Sequence, residues 1–142
     1  MSLSRREFPA AFLMVAPALQ AAQDSGGQNL PSKVYVFDEM QVHHTDAVDY
    51  RQLVAGKTVD GCKFSVHESA LQPGHEPHPA HHHNGEEMFL MLDGALDVTI
   101  NGKTSRITKG SVAFVGSGDQ HGITNPGPGL AKYFVIELGP QR

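Results

Sequence analysis

Residues 78–94, "HPAHHHNGEEMFLMLDG", set a run of histidines and two glutamates ahead of an apolar stretch. In an extended chain alternate side chains share a face, so His81 and His83 point one way and His82 the other. On a helix, positions two apart lie about 200° apart, and the same pair could not grip one ion. Asn84-Gly85 then supplies a turn, after which Glu87, Phe89 and Met91 share one face of a resumed strand. Two imidazoles and a carboxylate can therefore converge across that turn, which is metal-binding chemistry. A further ligand must come from another segment, and the only histidine after residue 83 is His121. The competing reading is a histidine-rich loop that holds metal loosely, because His75, His78, His81, His82 and His83 bunch together. That reading requires nothing of His121. His75, His78 and His82 themselves read as exposed loop or as support around the ligands.

The elements that must position these side chains are strands. From Lys33 onward the hydrophobic pattern has period two, in short runs broken by Gly, Pro and Asn. "KVYVF" (33–37), "DYRQLV" (49–54) and "CKFSVHES" (62–69) are predicted strands, the last alternating Cys62, Phe64 and Val66 against Lys63, Ser65 and His67. The strongest local signal is "ALDVTINGKTSRITKG", in which Asn101-Gly102 predicts a type I′ hairpin turn. A two-residue loop sets Ile100 opposite Lys103, Val98 opposite Ser105, and Leu96 opposite Ile107. On the other face Thr99 meets Thr104 and Asp97 meets Arg106. Runs at 111–115, 120–125 and 130–138 follow. Many short antiparallel strands at this spacing predict an all-β fold, a small barrel or jelly roll that hides its edges by closing on itself.

Two stretches also resemble the motifs of the cupin superfamily. The first cupin motif, a Gly, then HxH, three residues, Glu, six residues and Gly, is matched within residues 74–94 by His81, His83, Glu87 and Gly94. The second is matched by Gly110, Gly116, Gly118, His121 and Asn125, with Gly116 standing where the family usually has Pro. The resemblance spans roughly residues 60–138, and the interval from Ala95 to Lys109 is the family's short form. It implies a single-domain jelly-roll β-barrel holding one divalent metal ion on His81, His83, Glu87 and His121. It also selects Glu87 over Glu86. The Gly116 departure falls on a turn position and leaves the ligands untouched.

Three neutral imidazoles and one carboxylate suit Mn, Fe, Co, Ni, Cu or Zn, and differ from the all-oxygen cage that Ca²⁺ takes. Four protein ligands on an octahedral ion leave positions for water, substrate or O₂. The function expected is therefore a metal-dependent oxidoreductase of the dioxygenase type acting on a small organic molecule. The alternatives are a metal-dependent isomerase and a non-catalytic binding or sensing module, because fold does not decide function. His67, Phe89, Met91, Phe114, Gln120, Asn125 and Tyr133 are the candidate pocket residues.

Length and composition bound the rest. At 142 residues the chain predicts one domain. A net charge of −4 with interspersed signs gives no footprint for nucleic acid or an anionic membrane surface. The lone Cys62 cannot form a disulfide within the chain, so any metal must rest on nitrogen and oxygen. Residues 1–22 read as an export signal: Arg5 and Arg6 precede an apolar stretch from about Phe8 to Ala22, and "SRREF" resembles a bacterial twin-arginine signal. Pro9 and Pro17 interrupt that stretch, which falls short of the ~20 residues a bilayer span needs. Residues 23–32 then read as a linker and 33–142 as the barrel. The expected location is the periplasm or outside the cell, with no membrane contact after cleavage. A small-molecule ligand is the expected partner, and a homodimer is a further expectation from the family.

Overall fold

The computed structural model describes residues 29–139; the export signal expected at 1–22 lies outside them. Nine strands form among the described residues: β1 (Val42–His44), β2 (Val48–Lys57), β3 (Lys63–Leu71), β4 (Glu86–Asp93), β5 (Ala95–Ile100), β6 (Lys103–Thr108), β7 (Val112–Val115), β8 (His121–Thr124) and β9 (Ala131–Leu138). A six-stranded sheet runs β1-β2-β3-β9-β4-β7, and a three-stranded sheet runs β6-β5-β8. Every pairing between these strands is antiparallel. The fold is all-β, and its two layers form the jelly roll that the alternating runs predict.

The β5–β6 hairpin has the register read from its sequence, from Ala95 opposite Thr108 to Ile100 opposite Lys103. Asn101 and Gly102 have φ of 48° and 80°, the left-handed pair a type I′ turn requires. The outward face carries the Thr99–Thr104 hydroxyl contact at 2.7 Å and a two-pronged Arg106–Asp97 bond at 2.8 and 2.9 Å.

The segment 33–37 is not a strand. Its Val34 is 83% exposed, and a short 3-10 turn, Phe37–Glu39, follows. The edge of β2 that it would have to pair with is taken by β1, whose Val42, His43 and His44 face Arg51, Tyr50 and Asp49. Alternation alone describes a surface and does not supply a free edge. Nor are Asn29 and Leu30, at the end of the expected linker, loose: Asn29 bridges to Lys57, and the Leu30 N–H donates to the Lys57 carbonyl at 2.8 Å.

The core lies between the layers, where Leu71 and Ala131 from the large sheet and Leu96 and Val98 from the small one are at most 2% exposed. Full burial of an aliphatic side chain stabilises by about 1.5–3 kcal/mol each. The chain crosses from one sheet to the other at Gly94, with φ of 75°; a Cβ there would stand 2.4 Å from the Leu130 carbonyl oxygen. Only a glycine lets the backbone pass that closely. At the same end Asn125, 1% exposed, donates to the carbonyls of Leu71 (2.8 Å) and Gly129 (2.9 Å) and accepts from the Gly127 N–H (2.8 Å).

On the large sheet the inward face is the more polar one along β3. His67, Ser69 and Leu71 turn into the barrel, whereas Phe64 and Val66 stand outside. Cross-strand register extends that outer apolar row through Val54, Val66, Ile136, Met88 and Phe114. No helix among the described residues is long and apolar enough to cross a membrane.

Candidate metal centre

Two elements bring distant histidines together. The stretch before β4 is pinned to the first residue of β8 by a two-way backbone bridge: His81 N–H to the His121 carbonyl at 2.9 Å and His121 N–H to the His81 carbonyl at 2.8 Å. Gly122 permits this approach, since a Cβ there would meet that of Ala80 at 3.1 Å. Gly85, with φ of 107°, then swings the chain into β4, where Glu87 is buried facing inward. His82 is exposed, on the side away from its two neighbours.

The result is a tight cluster. The ring of His121 lies 4.6 Å from that of His81 and 5.0 Å from that of His83, centre to centre, and His81 and His83 are 5.3 Å apart. One nitrogen from each lies within 4.8 Å of the other two, close enough to share an ion. Glu87 Oε2 stands 2.7 Å from His121 Nε2 and 3.1 Å from His83 Nε2.

The His121 contacts bear on what the cluster could hold. Its Nδ1 lies 2.9 Å from the Asp119 carbonyl, an acceptor only, so Nδ1 carries the proton in the neutral ring and Nε2 presents a lone pair. That nitrogen lies 2.7 Å from a carboxylate oxygen of Glu87 but off the line of a hydrogen bond, and is left without a partner. Nδ1 of His81 is likewise buried and unpartnered. A buried imidazole nitrogen this close to a carboxylate oxygen calls for a shared cation, a proton or a metal ion. The backbone bond to Nδ1 is also how metal-binding imidazoles are held in tautomer and orientation. Burial, and next the proximity of His78, His121 and His83, lowers the pKa of His81 and keeps it in the neutral form that ligates. Neutral imidazoles and one carboxylate fit a divalent transition metal.

The Asp119 carbonyl is itself placed by the β5–β6 turn. Asn101 Nδ2 donates to the Asp119 carboxylate at 2.9 Å, and Asn101 Oδ1 accepts from the Gln120 N–H at 3.1 Å. The residue that makes the hairpin thus steadies the loop carrying His121.

Beside the cluster lies a cavity of about 410 Å³. Of the pocket candidates, His67, Phe89 and Tyr133 line it. Met91 sits in the core, 2% exposed. Phe114 is corrected to the outer face at 55% exposure, because β7 turns Ala113 and Val115 inward. Gln120 is exposed, and Asn125 is the buried clamp described above. Neither reaches the cavity. Residues that sequence reasoning missed include Tyr50, Ser69, Val135 and Glu137. Period two was the available signal: Ser69 follows His67 on one face of β3, and Val135 and Glu137 follow Tyr133 on one face of β9.

On the same sheet as Glu87, the cavity wall along β2, β3 and β9 carries Tyr50, His67, Ser69 and Tyr133. His67 is pushed down to about 4 chiefly by burial, with Glu87 opposing and His78 adding to the shift. Its ring packs tilted against that of Tyr50, 4.6 Å centre to centre, and the Tyr50 hydroxyl donates to Gln52. Burial raises the pKa of Tyr133 well above the usual phenol range, partly offset by its hydrogen bond to the cross-strand Ser69.

Comparison with known proteins agrees with this architecture. Residues 67–137 match the family model described as a cupin domain. The chain is 32% identical over 77 residues to the mannose-1-phosphate guanylyltransferase of Klebsiella pneumoniae, covering 54% of this chain and only 16% of that protein. Among solved structures, an RmlC-like cupin from Shewanella frigidimarina superposes with a TM-score of 0.65 at 15% identity, over 78% of this chain and 95% of that one. A predicted oxalate decarboxylase from Thermotoga maritima superposes at 0.61 with 23% identity, over 76% of this chain and all of that one. A matched domain model across half the sequence, two jelly-roll layers and histidines converging between them lead to one assignment: this chain belongs to the cupin family.

Proposed function

We propose that His81, His83, Glu87 and His121 hold one divalent transition metal ion. On this reading the protein is a metal-dependent oxidoreductase of the dioxygenase type, acting on a small organic molecule in the adjoining cavity. The single observation that carries the reading is the buried His121 Nε2, without a hydrogen bond although Glu87 Oε2 stands 2.7 Å away. The ion would supply Lewis acidity or O₂ activation at the cavity floor. The chain's own groups supply the remainder. Phe89, Ile123 and Val135 exclude water from the floor, while Ser69, His67 and Tyr133 offer neutral hydrogen-bonding groups that orient a ligand.

The test is elemental analysis of untagged protein together with its His121→Ala variant. Wild type should carry one transition metal ion per chain, and the variant should lose it. One tightly held ion retained by the variant would refute the ligand set. With metal established, absence of O₂ uptake and turnover across a phenolic and sugar panel would refute the oxidoreductase. A second reading, a binding or sensing module, is favoured by the cavity wall itself: His67 and Tyr133 are both held in neutral forms and neither stands in an acid–base pair with the ligands. Ligand-induced thermal stabilisation without product would support it.

Export through the twin-arginine route belongs to the same proposal, since that route carries folded proteins and would let the metal be loaded first. Replacing Arg5 and Arg6 with Lys should hold the protein in the cytoplasm; a variant that still reached the periplasm would refute this.

A further inference from the structure

The metal reading leaves open what enters the cavity, and the lining residues speak to that. The lining mixes apolar side chains, Val48, Ile123 and Val135, with rings, Tyr50 tilted against His67 at 4.6 Å and Phe89 6.2 Å from Tyr133. The polar atoms are those of hydroxyls and imidazoles, and of the acids Glu87 and Glu137. No lysine or arginine is among the lining residues described; Lys63, on the same face of β3 four residues before His67, lies outside them.

Charge is therefore distributed unevenly. An ion of charge +2 beside the Glu87 carboxylate leaves a net of about +1 at the cavity floor, enough for one anionic oxygen donor. A second negative group on the same ligand would sit among apolar walls with Glu137 as its charged neighbour and no guanidinium or ammonium to pair with. His67, with its ring held neutral, gives no counter-charge either. Flat rings are welcomed by the opposite logic, since Tyr50, Phe89 and Tyr133 present faces and edges for an aromatic partner.

Resting on the metal reading, we infer that the cavity takes an uncharged, ring-shaped molecule with one or two neighbouring hydroxyls, and rejects dicarboxylates and phosphate esters. The hydroxyl oxygens would face the ion, and the ring would lie against the aromatic wall.

The experiment is isothermal calorimetry on protein as purified, with metal content measured in the same sample. The probes are catechol, oxalate and glucose 6-phosphate, each titrated into wild type and into Glu137→Gln. Catechol should bind wild type at least about tenfold more tightly than either anion, a difference of about 1.4 kcal/mol. In Glu137→Gln that gap should narrow because the anions gain. Anions binding metal-loaded wild type as tightly as catechol would overturn the inference, as would an unchanged gap in the variant. A wild-type sample without metal would overturn the metal reading and this inference with it, so the two failures are told apart by the metal measurement.

Discussion

His67 gives the barrel a pH dependence that can be worked in advance. In the folded protein its pKa is about 4, against 6.5 for the free side chain. Between those values the unfolded chain takes up a proton at His67 that the folded chain refuses. Stability is therefore present above pH 6.5, falls as the pH drops through this window, and levels off below pH 4. The whole window corresponds to about 3 kcal/mol, and the interval from pH 7 to pH 5 to about 2 kcal/mol. The substitution His67→Gln keeps a polar side chain and removes the titration. Urea unfolding of both proteins in chelator, at pH 7 and pH 5, isolates the term: wild type should lose about 2 kcal/mol more than the variant over that interval. The lowered pKa of His81 acts in the same direction, but it is present in both proteins and cancels in the difference. Parallel pH dependences in the two proteins would refute the claim that burial holds His67 neutral, and would weaken the case for an anion-rejecting cavity.

Asn125→Ala should cost about 2–3 kcal/mol in urea unfolding, because it strands the Leu71 and Gly129 carbonyls and the Gly127 N–H. Gly94→Ala should destabilise by more than about 2 kcal/mol, whereas Gly102→Ala, also at positive φ but in open space, should cost about 1 kcal/mol; equal costs would discount the close passage by Leu130. Phe114→Ser should leave catechol affinity unchanged, since the ring stands on the outer face. If a second copy of the chain covers that face, the same substitution should shift light scattering from dimer to monomer.

What the sequence made legible was local. The β5–β6 register follows from a two-residue turn, so all its pairs could be written down from Asn101-Gly102 alone. His81, His83 and Glu87 were readable for the same reason: they sit within one short stretch whose face alternation is fixed once it is extended. His121 was found by spacing at a distance, which the family motif supplied and periodicity did not. The cavity wall was harder, because it depends on β2, β3, β9 and β4 lying side by side, and those ladders join residues far apart in the chain. Phe114 shows the cost of that gap. Its type suits a pocket, but one step of register on β7 decides between cavity and solvent.

Glu87 belongs to the six-stranded layer and His121 to the three-stranded layer, so one cation between them would rivet the two halves of the molecule together. A chelator would then do more than silence chemistry: it would free the seam between β4 and β8, letting the layers gape before either unravels. Hydrogen exchange at His81 and His121, whose amides bond each other's carbonyls, would register that loosening first, while the amides of β5 paired to β6 stayed protected.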